Sequence, residues 1–303
     1  MLKKQVNEED ISYKKPKTSK KDKRNAALFL APSLLGVLLF FVIPFFVIIY
    51  YALVDNPINR EFVFLDNFIN ILHNSSFQQA AKNTITFSLV TVPLAVVLSL
   101  GMAILLEQNI PMKSQFRTFF LSPMMVPTAS IVLIWQVLFD YHGAINEFIG
   151  HLGMTSIDWF KSSYSQIVIV ILFLWKNLGY NMILFMAALN AIPKDVLEVA
   201  TLESASEFQK FWYIKLRYLS STILFVSILS LINSFKVFRE VYLLTGDYPY
   251  DTLYMLQHFM NNTFRSLDYQ KLSSAAILMA IVMNVVIGIL FFVEEKFGKD
   301  VEG

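Results

Sequence analysis

Apolar residues are gathered into six long blocks with polar stretches between them. The blocks are Ala26–Leu53, Thr84–Leu106, Thr118–Phe139, Ile167–Ile192, Tyr218–Leu244 and Leu272–Val293. Each reaches the roughly 20 residues that carry a helix across a ~30 Å hydrocarbon core. The pattern predicts an all-α, polytopic membrane protein with six transmembrane helices. Pro32 and Pro44 lie inside the first block and should kink it, which membrane helices tolerate where neighbours satisfy the freed carbonyls. The fourth and fifth blocks are less clean, holding Lys176 and the trio Lys236, Arg239 and Glu240. Residues 25–297 are expected to form one membrane domain, flanked by a disordered basic tail at 1–24 and a short tail at 298–303.

The most informative interruption is Ile192–Arg217, a polar stretch between the fourth and fifth blocks that reads as a two-helix hairpin. Pro193 suits a first helical turn, and Asp195 suits the positive end of the helix dipole. Leu197, Ala200 and Thr201 then share a face, and Ser204-Ala205 breaks the run. Ser206 with Gln209 forms a plausible capping box that opens a second helix. That helix sets Phe208, Phe211 and Trp212 among Lys210, Lys215 and Arg217. Two uses fit: an interfacial helix resting on the inner leaflet, or a surface on which another protein docks.

The basic residues decide which way the chain faces. With the first tail inside and six alternating spans, 17 of the 25 Lys and Arg residues fall on the cytoplasmic side and five outside. The positive-inside rule then places both termini, and the hairpin at 192–217, in the cytoplasm. The outer connections are short. Asp55–Asn83 carries an amphipathic piece around residues 62–72, Asp140–Gln166 carries Trp159 at headgroup depth, and Gly246-Asp-Tyr-Pro249 is a turn.

Composition agrees with a membrane protein and removes several chemistries. Hydrophobic residues make up 55% of the 303 residues and charged ones 16%, too few to cover a soluble surface. There is no Cys, so disulfides, Cys-ligated zinc, iron–sulfur clusters and a thiol nucleophile are excluded. No phosphate-binding loop, zinc-protease motif or nucleophile elbow occurs. His73, His142, His151 and His258 fall in predicted outer loops without metal-ligand spacing and read as ordinary surface histidines. No acidic residue lies inside spans one to four or six, which argues against a proton- or sodium-coupled carrier. A gated channel and a membrane-embedded enzyme remain as alternatives, the enzyme disfavoured because no nucleophile–base pair or metal set emerges.

The hairpin resembles the cytoplasmic coupling segment of ABC-importer permeases, whose pattern is Glu-Ala-Ala, then an acidic-Gly-Ala step, then Ile-x-Leu-Pro. The matching residues are Glu198-Val199-Ala200, Glu203-Ser204-Ala205 and Ile214-Lys215-Leu216-Arg217, with Phe208 and Phe211 in keeping. Ser204 replaces the Gly, so a non-Gly residue is asked to make the tight turn. The likeness runs over about residues 25–297. Ala31-Pro-Ser33, Phe64-Leu-Asp-Asn67, Asn83-Thr84, Trp135, Gly143-x-x-Asn146, Trp175-x-x-x-Gly179 and Phe235-Lys-Val-Phe238 look like the carbohydrate-uptake branch.

The resemblance implies a non-enzymatic permease subunit in a bacterial cytoplasmic membrane. It implies a second homologous permease, two copies of a cytoplasmic ATPase that bind ATP and Mg, and an extracytoplasmic solute-binding protein. This chain would then hold no cofactor or metal, touch membrane lipid and bind no nucleic acid. Glu198, Ala200, Glu203, Ser204, Ala205, Phe208, Phe211 and Ile214 would meet the ATPase.

The resemblance also places sugar contacts near the fourth and fifth spans. The candidates there are Trp175, Lys176, Asn177, Gly179, Asn181, Asn233, Ser234 and Lys236. Asn177 and Asn181, four apart, share a helical face, and Trp175 could stack on a sugar ring. Counted from Ile167, Lys176 lies about 13 Å deep. The competing use for each Asn is an interhelical hydrogen bond, and for Lys176 an ion pair with Glu240 or with a partner's carboxylate. Lys176 and Lys236 also raise the idea of an anionic, uronate-type sugar.

Overall fold

A computed structural model describes residues 20–56, 58–108 and 110–298; of the tails expected at 1–24 and 298–303, residues 1–19 and 299–303 lie outside the described residues, while 20–24 belong to the first helix and 298 ends the last. Within these limits the chain is almost wholly helical, with one isolated antiparallel bridge between Val54 and Phe62. By packing it divides into two units, with the chain boundary between Tyr50 and Tyr51.

The first unit holds α1 (Lys20–Val37), a π-helical turn at Leu38–Val42, and most of α2 (Ile43–Ala52). The π turn has a local cause. Pro44 has no N–H to give, and the helix relaxes so that Ile43 donates five residues back to the Leu38 carbonyl. From Arg24 to Ala52 the helix is 29 residues long, and no part of its most apolar window is buried inside the chain.

The second unit contains the packed core. After the bridge come α3 (Asp66–Leu72) and α4 (Ser75–Glu107). Asn67 holds α3 in place by donating its side-chain amide to the carbonyls of Ala52 and Val54, at 3.0 and 2.8 Å. Helix α4 starts nine residues before the predicted second span, because Asn74 caps it by accepting from the Phe77 N–H at 3.0 Å. That first stretch carries Gln78, Gln79, Lys82 and Asn83, so hydropathy alone does not register it.

Next come α5 (Lys113–Met125), α6 (Thr128–Leu138) and α7 (Ala144–His151). The predicted third span, Thr118–Phe139, is therefore a broken pair and not one straight helix: α5 and α6 bend by 101°. The break falls at Val126-Pro127, where the proline ring pushes the preceding residue to an extended ψ of 132°. Gly143 closes the turn after α6. A β-carbon there would stand 2.4 Å from the Val137 carbonyl oxygen. Asn146 locks the following loop, donating to the carbonyls of Asp140, Tyr141 and Ile157 and accepting from the Trp159 indole.

The chain continues through α8 (Ser165–Asn190), α9 (Lys194–Leu202), α10 (Glu207–Lys210), a π turn at Phe211–Lys215, α11 (Leu216–Tyr218), α12 (Ser220–Lys236) and α13 (Phe238–Thr245). A 3-10 turn at Asp251–Leu253, α14 (Leu256–Arg265) and α15 (Tyr269–Gly298) complete it. Among the described residues, five helices are long and apolar enough to cross a membrane, and a sixth crossing results if α5 and α6 make one broken span. The connection before α15, expected to be only a turn, contains a helix. Helix α14 buries Leu256, His258, Phe259 and Thr263 on one side.

The core centres on α4 and α8. Ala80, Thr84, Ser88, Thr91, Ala95, Ser99 and Ala103 are all buried and recur every three or four residues along one face of α4. Small side chains let helices approach closely where lipid supplies no hydrophobic drive for association. The hydroxyls do not arrive unpaired: Thr84, Thr91 and Ser99 donate back to the carbonyls of Ala80, Phe87 and Ala95. Around this seam Phe87 meets Phe173 edge to face, with ring centroids 5.6 Å apart.

Candidate functional site: a charged cavity and a polar hairpin

A cavity of about 450 Å³ opens between α5, α8, α12 and α13. Phe173, Lys176, Asn177, Tyr180, Asn233 and Lys236 line it, joined by Arg239 and Glu240 from α13. Lys176 stands eleven residues into the 26 of α8, about 16 Å along a helix of about 39 Å, so the cavity lies near mid-height. Helix α12 stops at Lys236 and α13 begins at Phe238. Such an interruption at membrane depth is tolerated where it is buried in protein or lines an aqueous space.

The polar groups of the cavity differ in how well they are satisfied. Lys176 is ion-paired with Glu240, whose side chain is 8% exposed, and its ammonium also lies 3.5 Å from the Thr128 hydroxyl. An unpaired buried carboxylate would be costly, and this contact removes most of that penalty. Asn177 donates to the Phe173 carbonyl at 2.8 Å and accepts from the Asn233 amide at 2.9 Å. Lys236 and Arg239 line the same space, and neither makes an ion pair with a described residue. Three cations against one carboxylate leave the lining with a formal charge of +2.

The other predicted path residues face elsewhere. Gly179 is pressed against α5, and a β-carbon on it would stand 1.9 Å from the Phe120 carbonyl oxygen. Asn181 is buried and donates to the Ser230 hydroxyl at 3.0 Å. Ser234 shares a 2.8 Å bond with Ser88 and donates to the Leu231 carbonyl. Trp175 lies against Trp135, with centroids 6.2 Å apart. Asn177 and Asn181 are thus divided, one in the cavity and one in a helix interface. A larger groove of about 660 Å³ lies between the start of α12 and the end of α15, lined by Ile223, Leu224, Leu290 and Val293 with Arg217, Glu294 and Lys296. It sits at the helix ends, whereas the smaller cavity lies near mid-height where a path through the membrane must pass.

The hairpin is built from well-formed termination signals. Helix α9 has Pro193 at its N-cap and ends in a complete Schellman motif. There Ser204 donates to the Thr201 carbonyl at 3.0 Å and Ala205 to the Ala200 carbonyl at 2.9 Å. Ser204 takes the left-handed position at φ 60°, a turn usually given to Gly. The capping box follows directly: Gln209 N–H donates to the Ser206 hydroxyl, and Ser206 N–H donates to Gln209 Oε1. The expected second helix is not separate; it passes through the π turn and α11 into α12.

Its side chains divide into two sets. Leu197 and Phe211 pack inward against a core cluster that includes Met186, Leu189 and Ile192, and Ala200, Ala205 and Ile214 are half-buried. Glu198, Glu203 and Ser204 are exposed, and with them Leu202 at 84% and Phe208 at 71%. Lys210, expected on a basic rim, is buried instead and bonded to Glu207 at 2.8 Å. That hydrogen bond holds the Glu207 carboxyl below its ordinary pKa. Lys215 reaches back to Glu107 at the end of α4, at 2.8 Å, and so ties the hairpin to the central helix pair.

Among the histidines, His258 is not a surface residue. It is fully buried in α14, its Nδ1 accepts from the Met255 N–H, and Phe238 lies edge-on to its ring at 4.7 Å. Burial pushes its pKa down to about 4, against a weaker opposing effect of Asp247. No cluster of three His, Asp or Glu residues able to hold a metal occurs among the described residues.

Comparison with known proteins gives a consistent result. A family model described as "Binding-protein-dependent transport system inner membrane component" matches residues 95–297. The trehalose/maltose transport system permease protein MalF of Thermococcus litoralis is 29% identical, with 93% of this chain and 98% of that protein aligned. The sulfoquinovosyl glycerol transport system permease protein SmoG of Agrobacterium fabrum is 27% identical over 85% of this chain and 86% of its own length. A solved bacterial alginate ABC transporter, in complex with alginate pentasaccharide-bound periplasmic protein, matches in fold with a TM-score of 0.80. That match covers 92% of this chain and 98% of the other at 18% identity.

Proposed function

The chain belongs to the family of inner membrane components of binding-protein-dependent transport systems, and from that premise we propose that it is the permease subunit of an ATP-driven importer of sugars or oligosaccharides. It is a multi-pass protein of the inner membrane. Solute delivered by an extracytoplasmic binding protein enters the path between this chain and a second homologous permease. Two cytoplasmic ATPase subunits bind ATP with Mg and drive alternating access, and this chain contributes no cofactor of its own. Both termini and the hairpin face the cytoplasm, as the distribution of Lys and Arg supports. The carbohydrate reading draws support from relatives named for trehalose/maltose, starch degradation products and arabinooligosaccharides.

The single observation that carries the reading is the shape of the hairpin. An interfacial helix would turn its aromatics and leucines toward one lipid-facing stripe. Here Glu198, Leu202, Glu203 and Phe208 are all exposed around a turn fixed by a Schellman motif and a capping box. A mixed acidic and apolar projection held on rigid caps fits a protein cleft better than an acyl-chain boundary. Its inward set, Leu197 and Phe211, roots it on the core, and Lys215–Glu107 joins it to α4. A push on the hairpin is thereby delivered to the helices that wall the cavity.

The test is the sugar-stimulated ATPase activity of the reconstituted complex. Glu198→Ala should leave the complex assembled and reduce stimulation by tenfold or more, about 1.4 kcal/mol of coupling. Stimulation equal to wild type would return the hairpin to an interfacial role and favour a channel.

A further inference from the structure

We propose that the cavity is built for a saccharide carrying an anionic group, a carboxylate, sulfonate or phosphate, held by Lys236 and Arg239. The proposal rests on reading the cavity as the translocation path and names the substrate class that path accepts.

A cation at membrane depth is expensive and is kept where it faces an aqueous space or finds a partner. Lys176 has its partner in Glu240. Lys236 and Arg239 stand three residues apart on the same side of the chain, line the cavity, and have no carboxylate to answer them. Glu240 is the one carboxylate in the lining and is already engaged with Lys176. The pair Lys176–Glu240 therefore acts as wall, and the unanswered charge lies on α12 and α13.

The remaining lining suits a sugar bearing such a group. Asn177 and Asn233 present amides that can exchange their mutual bond for ring hydroxyls. Phe173 and Tyr180 supply apolar faces. Arg239 offers the planar fork that matches a carboxylate or phosphate, and Lys236 a mobile point charge. A cationic solute would meet a net +2, and a neutral sugar would leave both cations unanswered.

A thiol probe tests this without knowing the substrate. The chain has no Cys, so Leu229→Cys places a single thiol in the cavity wall without altering a charge or a hydrogen bond. The variant is reconstituted in the complete importer, and its modification by two methanethiosulfonates, the anionic sulfonatoethyl and the cationic trimethylammonioethyl reagent, is followed by intact mass of this subunit. Relative to a free thiol in solution, the anionic reagent should be favoured by about tenfold, and high salt should weaken that preference. Adding Lys236→Gln and Arg239→Gln should return the ratio to that of the free thiol. Equal or faster reaction with the cationic reagent would overturn the proposal and leave the importer reading intact, as would a preference that survives removal of both cations. A thiol closed to both reagents would instead remove the translocation-path reading, and the proposal with it.

Discussion

The two faces of α8 carry similar residues and put them to different uses. On the packed face, Gly179 touches the α5 backbone and Asn181 spends its amide on Ser230. On the open face, two turns of the same helix present Lys176, Asn177 and Tyr180 to a cavity of about 450 Å³. The packed face is saturated: its polar atoms find partners inside the chain. The open face borders charge that is not met, because the cavity it lines also holds Lys236 of α12 and Arg239 of α13 without an ion pair. Polarity inside a membrane helix therefore does not by itself mark a path; unsatisfied polarity does.

This contrast can be broken at several points. The largest effect should come from Glu240→Ala, which removes the counter-charge of Lys176 in a cavity that already holds Lys236 and Arg239. We expect a loss of about 3 kcal/mol, the lower end for a broken buried pair because Lys176 borders the cavity. Thermal unfolding in detergent would measure it, and Lys176→Met with Glu240→Met should recover most of the loss. Full stability in Glu240→Ala would mean that the ion pair is incidental.

A pH effect of comparable size should come from α14, where His258 is buried neutral with a pKa of about 4 against 6.5 when unfolded. The folded state then binds fewer protons than the unfolded one between these values. Stability is intact above pH 6.5 and falls as the pH drops toward 4, by on the order of 3 kcal/mol in all. A His258→Asn variant should lose the slope; a wild-type profile flat between pH 7 and 4.5 would contradict the buried neutral ring.

Next is Gly179→Ala, whose methyl has no room against the Phe120 carbonyl oxygen. Displacing α8 from α5 should cost about 1–3 kcal/mol by overpacking. Tyr180→Phe, one residue on and facing the cavity, should leave the melting temperature almost unchanged. Equal effects of the two substitutions would erase the distinction between the faces.

The sequence made the spans legible because hydropathy over twenty residues is a strong signal. It missed what that average conceals. Pro127 breaks the third span with no charged residue on either flank, so hydropathy alone does not announce the 101° bend. Helix α14 is short and mixed in composition, and is set by the buried side of Leu256, His258 and Phe259. The small residues of α4, from Ala80 to Ala103, are a visible periodic signal that hydropathy ranks below leucine.

In the hairpin, Ser204 in the left-handed turn follows directly from its place where the resembled pattern has Gly. The burial of Lys210 does not, since it depends on its bond to Glu207 and on the chain packed over it. In the cavity, Lys176 and Lys236 are marked in the sequence as charges inside apolar blocks. Arg239 belongs with them only because α13 restarts after Val237 and carries it into the same space.

The most direct measurement is a substituted-cysteine scan of α8 in the assembled, ATP-hydrolysing transporter, using a membrane-impermeant thiol reagent on this cysteine-free chain. The account predicts that Asn177→Cys and Tyr180→Cys react during turnover, while Asn181→Cys and Met182→Cys stay closed. Uniform reactivity around the helix, or protection of the first two, would contradict a translocation path along the open face of α8.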